Sequence, residues 1–298
     1  MVAPPMQSRK RARLVTSRFH QLTHEIHRLE KSASKGDRKR LEELRAELDS
    51  MGGREAYQEA SIISTQHCSS SKWVLKVLRR RGHLDGKASS STVSVLEVGA
   101  INTELLDTAG LAVRAIDLNA SNPRIEERDF FLMAEDFRAG TRFTHIVCSM
   151  VINCVPTALA RGCMLVLARA LLASEDGMLF LTLPNSCLTP PEDAAARAQG
   201  AKRRATKGFT REVFEAILTR DLGFEILAPP DSKLSPKVAF YSLRRGAGAV
   251  KQSTVAAALA EVQVQEEDQD GEHRRPHRFS VLVPQAVAGE DPGGGEES

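Results

Sequence analysis

The chain has 298 residues, 42% of them hydrophobic, enough to bury one full α/β core with an appended module and too few for two large domains. Its net charge of +3 hides a strong polarity: residues 1–40 carry eleven Lys/Arg against three Asp/Glu, and residues 261–272 carry six acids with no Lys or Arg. The five cysteines, Cys68, Cys148, Cys154, Cys163 and Cys187, include no C-x-x-C pair, and neither a signal-type apolar region nor a membrane-length span is present, which argues against a disulfide scaffold or a membrane protein and predicts a reduced, soluble, intracellular chain.

Residues 1–8 read as disordered and 9–84 as a basic helical module. Apolar residues recur at three-four spacing at Leu14, Phe19, Leu22, Ile26 and Leu29, and again after a Ser-Lys-Gly-Asp break at Leu41, Leu44, Leu48 and Met51. This predicts two antiparallel amphipathic helices, with Asp37 capping the second and Gly52-Gly53 ending it. Helices are also expected over 54–66 and 71–81, followed by a Gly/Ser-rich linker over 85–92. His20, His24 and His27 share a helix face, but they lack an obvious fourth ligand and lie between Arg18 and Arg28, so a basic face is expected there rather than zinc. A basic arm suits contact with a polyanion or nuclear import, and equally an ordinary solvated surface.

From 93 onward strand and helix alternate, which predicts a mostly parallel sheet covered on both faces. Strand-like runs fall at 93–98, 113–117, 124–129, 145–151, 178–183, 224–227 and 238–243, and helices at 102–109, 157–173 and 210–221. The core domain is read as 93–245 plus 273–284. Residues 246–272, rich in Ala, Gln, Glu and Asp, read as a low-complexity insertion, with 277–283 returning as an antiparallel strand beside 238–243 and 285–298 as a disordered tail.

The chemistry concentrates at strand ends. The run VSVLEVGAIN ends a buried β-branched strand in Glu97-x-Gly99, and the next strand, VRAIDL, ends in Asp117. In an open parallel sheet such ends form the binding crevice, a glycine lets a ligand touch backbone, and an acid at the neighbouring strand tip accepts from two ribose hydroxyls. The bland alternative is that Gly99 ends a strand and Asp117 caps a turn. A dinucleotide fingerprint and a phosphate-binding Gly-x-x-x-x-Gly-Lys-[Ser/Thr] loop are both missing, so the ligand expected is S-adenosylmethionine, which has no phosphate to cradle. Further on, Asp129 in RDF can accept the adenine amino group while Phe130 stacks on the ring, or Phe130 is simply core. HIVCSMVINCVP runs into Asn153, which offers an acceptor and a donor to a target base, or else serves the turn before a helix.

The segments GGREAYQEAS, SSSKW, LEVGAIN, AIDLN, RDFF, SMVINCVP with ARGCMLVLARALL, and LPNSC together resemble the fungal nucleolar large-subunit (25S) ribosomal RNA adenine-N(1)-methyltransferase family. The likeness runs discontinuously from Gly52 to about Val283, and Ser-Met-Val-x-Asn-x-Val-Pro with Arg161-Gly162 is its most specific part. It implies a class I, Rossmann-like methyltransferase fold: a mostly parallel seven-stranded sheet with one antiparallel strand. It also implies S-adenosylmethionine at Gly99 and Asp117; from their positions Glu97, Asp129 and Phe130 are expected to complete the cofactor site, with Lys72, Tyr57 and Gln58 toward its amino-acid end, and Asn153 to be the catalytic, base-orienting residue. The substrate implied is ribosomal RNA in a pre-60S particle, the setting nuclear and nucleolar, and the protein a monomer without metal. One departure concerns the substrate side: Cys187 is followed by Leu-Thr-Pro-Pro-Glu-Asp instead of the family's Asn-Ser-Arg-Tyr segment, and Lys202-Arg203-Arg204 with Lys207 offer phosphate contacts or a solvated loop. A related animal protein, similar in the same segments, senses S-adenosylmethionine for a signalling complex, so a non-catalytic binding module is the alternative. The basic arm favours RNA, since a protein-docking module would more naturally expose apolar anchors. Methylation of a small molecule or a protein, the third reading, leaves that arm without a purpose.

Overall fold

A computed structural model of the protein describes residues 35–53, 70–84, 93–120, 122–188, 209–269 and 279–288, with 14, 15, 18, 19, 21–23, 25, 26, 29 and 56. The expected helix 54–66 apart from Ala56, the histidines 20, 24 and 27, Tyr57, Gln58, the linker 85–92 and the basic cluster 202–207 lie outside them. The chain divides into two compact units, Met1–Trp73 and Val74–Ser298.

In the first unit, α1 (Lys35–Ser50) packs Leu44, with Leu41, Leu48 and Met51 beside it, against Leu22, Ile26 and Leu29. Arg18 pairs with Glu47 at 2.6 Å and Arg40 with Glu25 at 3.2 Å, so residues rising along one segment meet residues falling along the other, as antiparallel helices require. Helix α1 begins two residues before Asp37, which is therefore not its cap, and it ends where Gly52 and Gly53 both take positive φ. Helix α2 (Ser70–Arg80) carries the chain into the second unit, with Val74, Leu75, Val77 and Leu78 buried.

The second unit is an eight-stranded sheet: β1 (Val93–Val98), β2 (Leu111–Asp117), β3 (Glu126–Glu127), β4 (His145–Ser149), β5 (Met178–Pro184), β6 (Phe224–Ile226), β7 (Lys233–Leu234) and β8 (Val238–Arg245). Seven strands run in the order β3-β2-β1-β4-β5-β8-β6, with β7 pairing β8. Strands β1 to β5 are parallel, and β8 lies antiparallel between β5 and β6. This is the mostly parallel sheet of seven main strands with an antiparallel strand that the sequence leads us to expect. Its chain path reverses between β1 and β4, the place where an open α/β sheet opens a crevice beyond its strand ends.

One face of the sheet carries most of the core. Leu96, Val98, Ile116, Ile146, Cys148, Leu179 and Leu181 pack with Phe130, Met133 and Phe137 around α3 (Met133–Arg138), and with Met164, Leu165 and Ala168 of α4 (Ala158–Leu171). Thr157 caps α4, its side chain accepting from the Ala160 N–H at 3.0 Å. Helix α5 (Arg211–Ala216), capped by Thr210, ends in a wider five-residue turn, Ile217–Asp221.

Four expectations are corrected. Residues 102–109 form turns, because Asn102 Oδ1 accepts from the Glu104 N–H and Thr103 bonds to Asp107, local side-chain bonds that compete with a helix. The third strand shrinks to Glu126–Glu127. Residues 246–272 contain α6 (Gln252–Gln269), whose Ala258 and Val262 pack on Leu159, Ala160 and Cys163 of α4. No strand forms over the described residues 279–283, since β5 holds one edge of β8 and β6 with β7 hold the other. Those residues instead cross the start of α4, before the short α7 (Gln285–Ala288), with the Leu282 N–H donating to Ala158 O at 2.9 Å.

Candidate active site

The crevice is built where β1 stops. Gly99 takes φ +74°, and its N–H and that of Ala100 both donate to Ile116 O, at 2.9 and 3.1 Å, so the chain folds at once over the end of β2. A Cβ at Gly99 would collide with Val151 Cγ2, so both the backbone angle and the space demand glycine.

Glu97 is in register with Val147 of β4, and side chains two residues apart point to the same face, so Glu97 and Ser149 share one face of the sheet at its opening end. Glu97 is 7% exposed, and burial, with the Glu104 charge second, pushes its carboxyl up to about 8. Its Oε2 and the Ser149 Oγ are buried without a hydrogen-bond partner among the described residues, and so is Asn153 Oδ1 four residues further along. Between them Met150 adopts φ +60°, a strained conformation for a residue with a side chain, and leaves that side chain 41% exposed. Among the described residues the Asn153 amide nitrogen donates to Cys154 Sγ, at 3.4 Å.

On the other side of β1, Asp117 ends β2. One carboxylate oxygen accepts from the Asn119 N–H at 2.8 Å, the turn-capping role that the sequence left open, and the other makes no side-chain bond among the described residues. Leu118, next along, is 64% exposed. The Arg128 N–H donates to Asp117 O at 2.9 Å and ties the end of β3 alongside. Arg114 and Arg128 both reach Glu126 and Asp136, which holds this corner rigid. Asp129 is exposed and caps the following turn through the Phe131 N–H at 2.9 Å.

The strand ends thus bring together Glu97, Gly99, Asp117, Asp129 and Asn153. Phe130 is not among them: at 5% exposure it lies in the core against Val98, Ile146 and Met164, which excludes it from stacking on a ligand. Lys72 is exposed on α2 and belongs to the first unit. Sequence reasoning missed Ser149, Met150 and Leu118. Leu118 carried a signal, an apolar residue in the otherwise polar turn DLNASN, whereas the strain at Met150 has none. Among the described residues no group of three His, Cys, Asp or Glu side chains is arranged to hold a metal.

No curated protein matches the chain significantly. Solved structures similar to it include an O-methyltransferase family protein from Burkholderia thailandensis, 10% identical with a TM-score of 0.39, covering 65% of this chain and 61% of its own. A S-adenosylmethionine-dependent methyltransferase from Clostridium acetobutylicum is 12% identical with a TM-score of 0.43, covering 63% of this chain and 98% of its own. The magnesium protoporphyrin IX methyltransferase of Synechocystis, with bound SAH, is 14% identical with a TM-score of 0.40, over 63% and 86%. A family model matches residues 42–275, a span that includes every strand of the sheet and the whole crevice. With that match over most of its length, the chain belongs to the family described as 25S rRNA (adenine(2142)-N(1))-methyltransferase, Bmt2.

Proposed function

We propose that the crevice beyond β1, β2 and β4 holds S-adenosylmethionine and that Asn153 sets the target adenine against it. The observation that carries this reading is the group of buried atoms without a hydrogen-bond partner among the described residues: Glu97 Oε2 on β1, Ser149 Oγ at the end of the adjacent β4, and Asn153 Oδ1 in the loop that follows β4. An unpaired buried polar atom costs about 1–3 kcal/mol, so three around one opening make sense when a ligand supplies the missing donors. S-adenosylmethionine fits: Glu97 suits its ammonium group, the open oxygen of Asp117 suits its ribose hydroxyls, and the bare backbone of Gly99 allows close approach. Bound there, it supplies a methyl carbon made electrophilic by a sulfonium.

The residues of this chain then have a light chemical task. Leu118 and Met150 give apolar contact on either side of β1, and Asp129 keeps a carboxylate oxygen for the cofactor's adenine amine. Asn153 Oδ1 accepts from the exocyclic amine of the target base and so orients the ring. Adenine N1 has an in-plane lone pair and no proton to remove, so Asn153 aligns where a general base is unnecessary. An extruded base is required, since N1 is paired inside a duplex.

This enzyme belongs to ribosome biogenesis, and we place it in the nucleus and nucleolus, acting as a monomer on the large-subunit precursor. The exposed Arg38 and Lys39 of α1 extend the basic arm toward RNA, whereas Arg18 and Arg40 are engaged with glutamates. The test separates donor from base: Ser149→Ala should weaken donor binding several-fold, and Asn153→Ala should leave it intact while methyl transfer falls by about 100-fold. Full transfer by Asn153→Ala would overturn the assignment.

A further inference from the structure

Arg161 is 6% exposed in the first turn of α4, where the helix dipole already favours negative charge and where no carboxylate lies within ion-pair distance among the described residues. Its neighbours Leu159, Ala160, Cys163 and Met164 are the apolar residues such a position normally takes. The guanidinium instead donates to three carbonyls: Nε to Val155 O at 2.9 Å, Nη2 to Pro156 O at 3.2 Å and Nη1 to Ser280 O at 2.8 Å. It also lies 4.9 Å from the centre of the Phe279 ring, which packs on Phe209 and Phe214. Two of the carbonyls end the loop that bears Asn153, and the third belongs to a segment more than a hundred residues away in sequence. Gly162 completes the contact: a Cβ there would overlap Leu282 O and come within 2.9 Å of its carbonyl carbon, so only glycine lets the segment cross.

We propose that Arg161 is a positioning residue for methyl transfer: braced by the crossing segment at 279–284, it fixes the loop between β4 and α4 and so the direction of Asn153 Oδ1. The fork geometry is what the task needs, because a planar guanidinium joins three divergent carbonyls and a lysine, a point charge on a flexible stem, does not. Among the described residues the start of the loop is tied to β5 by Met150 N–H to Thr182 O at 2.9 Å, whereas its further bonds before Val155, Cys154 N–H to Val151 O at 2.8 Å, Cys154 Sγ to Met150 O at 3.6 Å and the Asn153 amide to Cys154 Sγ at 3.4 Å, are internal to it. Small displacements of an aligning group cost large factors in rate.

The proposal rests on the role given to Asn153, and the experiment keeps the two apart. In the full-length protein, Arg161→Met and Arg161→Lys should each lower single-turnover methyl transfer to unmethylated 25S rRNA by about 30-fold or more per donor-binding site, with donor Kd and RNA KM within about threefold. Amide exchange over residues 151–157 should accelerate, while exchange over β1 and β2 stays unchanged. Gly162→Ala, which displaces the segment but keeps the arginine, should give the same kcat loss and the same exchange, and it serves if Arg161→Met does not fold. In an Asn153→Ala background the arginine substitution should cost little more. An unchanged rate per donor site, unchanged exchange over 151–157, or an equal loss in both backgrounds overturns the proposal. An Asn153→Ala enzyme of full activity overturns instead the reading on which it rests.

Discussion

Replacing Glu97 by Gln tests the donor site through a proton. In the free protein, burial holds this carboxyl up to about 8, so at pH 7 about nine molecules in ten carry it protonated. A cationic donor draws it into the ionised form, and binding at pH 7 should therefore release about 0.9 proton. The ionisation costs about 1.4 kcal/mol at pH 7, and donor affinity should rise about fifty-fold between pH 6 and pH 8. Titration calorimetry of S-adenosylmethionine in phosphate and in Tris at pH 7 reads the release as the dependence of observed heat on buffer ionisation heat. Glu97→Gln should abolish the release and flatten the affinity profile. The stability of the free protein carries the opposite mark: since the folded form keeps a proton that the unfolded chain, ordinary value 4.5, gives up, stability falls as pH rises from about 4.5 to about 8, by about 2–3 kcal/mol between pH 5 and 7. The variant should not show that fall. Binding by the wild type without proton release would refute the reasoning, because it would mean that the donor never faces Glu97.

His145 acts in the other direction. Fully buried at the start of β4 against His83, it is held down to about 3, so stability is lost as pH falls from 6.5 toward 3, and His145→Phe should recover about 2 kcal/mol of the loss between pH 7 and 5 in thermal unfolding. Gly99→Ala, strained by its positive φ and by Val151, should cost about 2–4 kcal/mol of stability and remove the thermal shift that S-adenosylmethionine gives the wild type. Asp117→Ala should weaken donor binding by about 1.5–3 kcal/mol in calorimetry with little change in unfolding temperature, because the capped turn at Asn119 loses a single hydrogen bond. Arg38→Glu with Lys39→Glu should flatten the salt dependence of RNA binding by about two phosphate contacts; both side chains are exposed, so the swap leaves the Leu22–Leu44 packing that a deletion of residues 1–40 would destroy.

The sequence was most legible where local pattern and tertiary demand agree. VSVLEV, HIVCS and MLFLTL are continuous apolar runs of strand length, and each forms a central strand, because a parallel sheet buried on both faces needs no alternation. Thr157 before an apolar run marked the start of α4 to within a residue. Glu97, Gly99 and Asp117 could be singled out because a ligand crevice at strand ends calls for those residue types, and the structure places all three at the ends of β1 and β2. What stayed hidden depends on partners that no local window contains. Val255, Ala258 and Val262 have helical spacing, but the surrounding Gln and Glu obscured a face that becomes worthwhile only against α4 and the main core. Phe279 and Val281 have strand composition, yet the edges of β8 were already taken. Phe130 and Phe131 differ by one position, and the sheet alone decides that Phe130 goes to the core.

The most direct test of the account is the chemical identity of the product. Full-length protein, labelled S-adenosylmethionine and unmethylated 25S rRNA should yield N1-methyladenosine at a single position by nucleoside mass spectrometry. Asn153→Ala, binding the donor with unchanged affinity, should yield almost none. Tight donor binding with no label on the RNA, or label on any atom other than adenine N1, would contradict it.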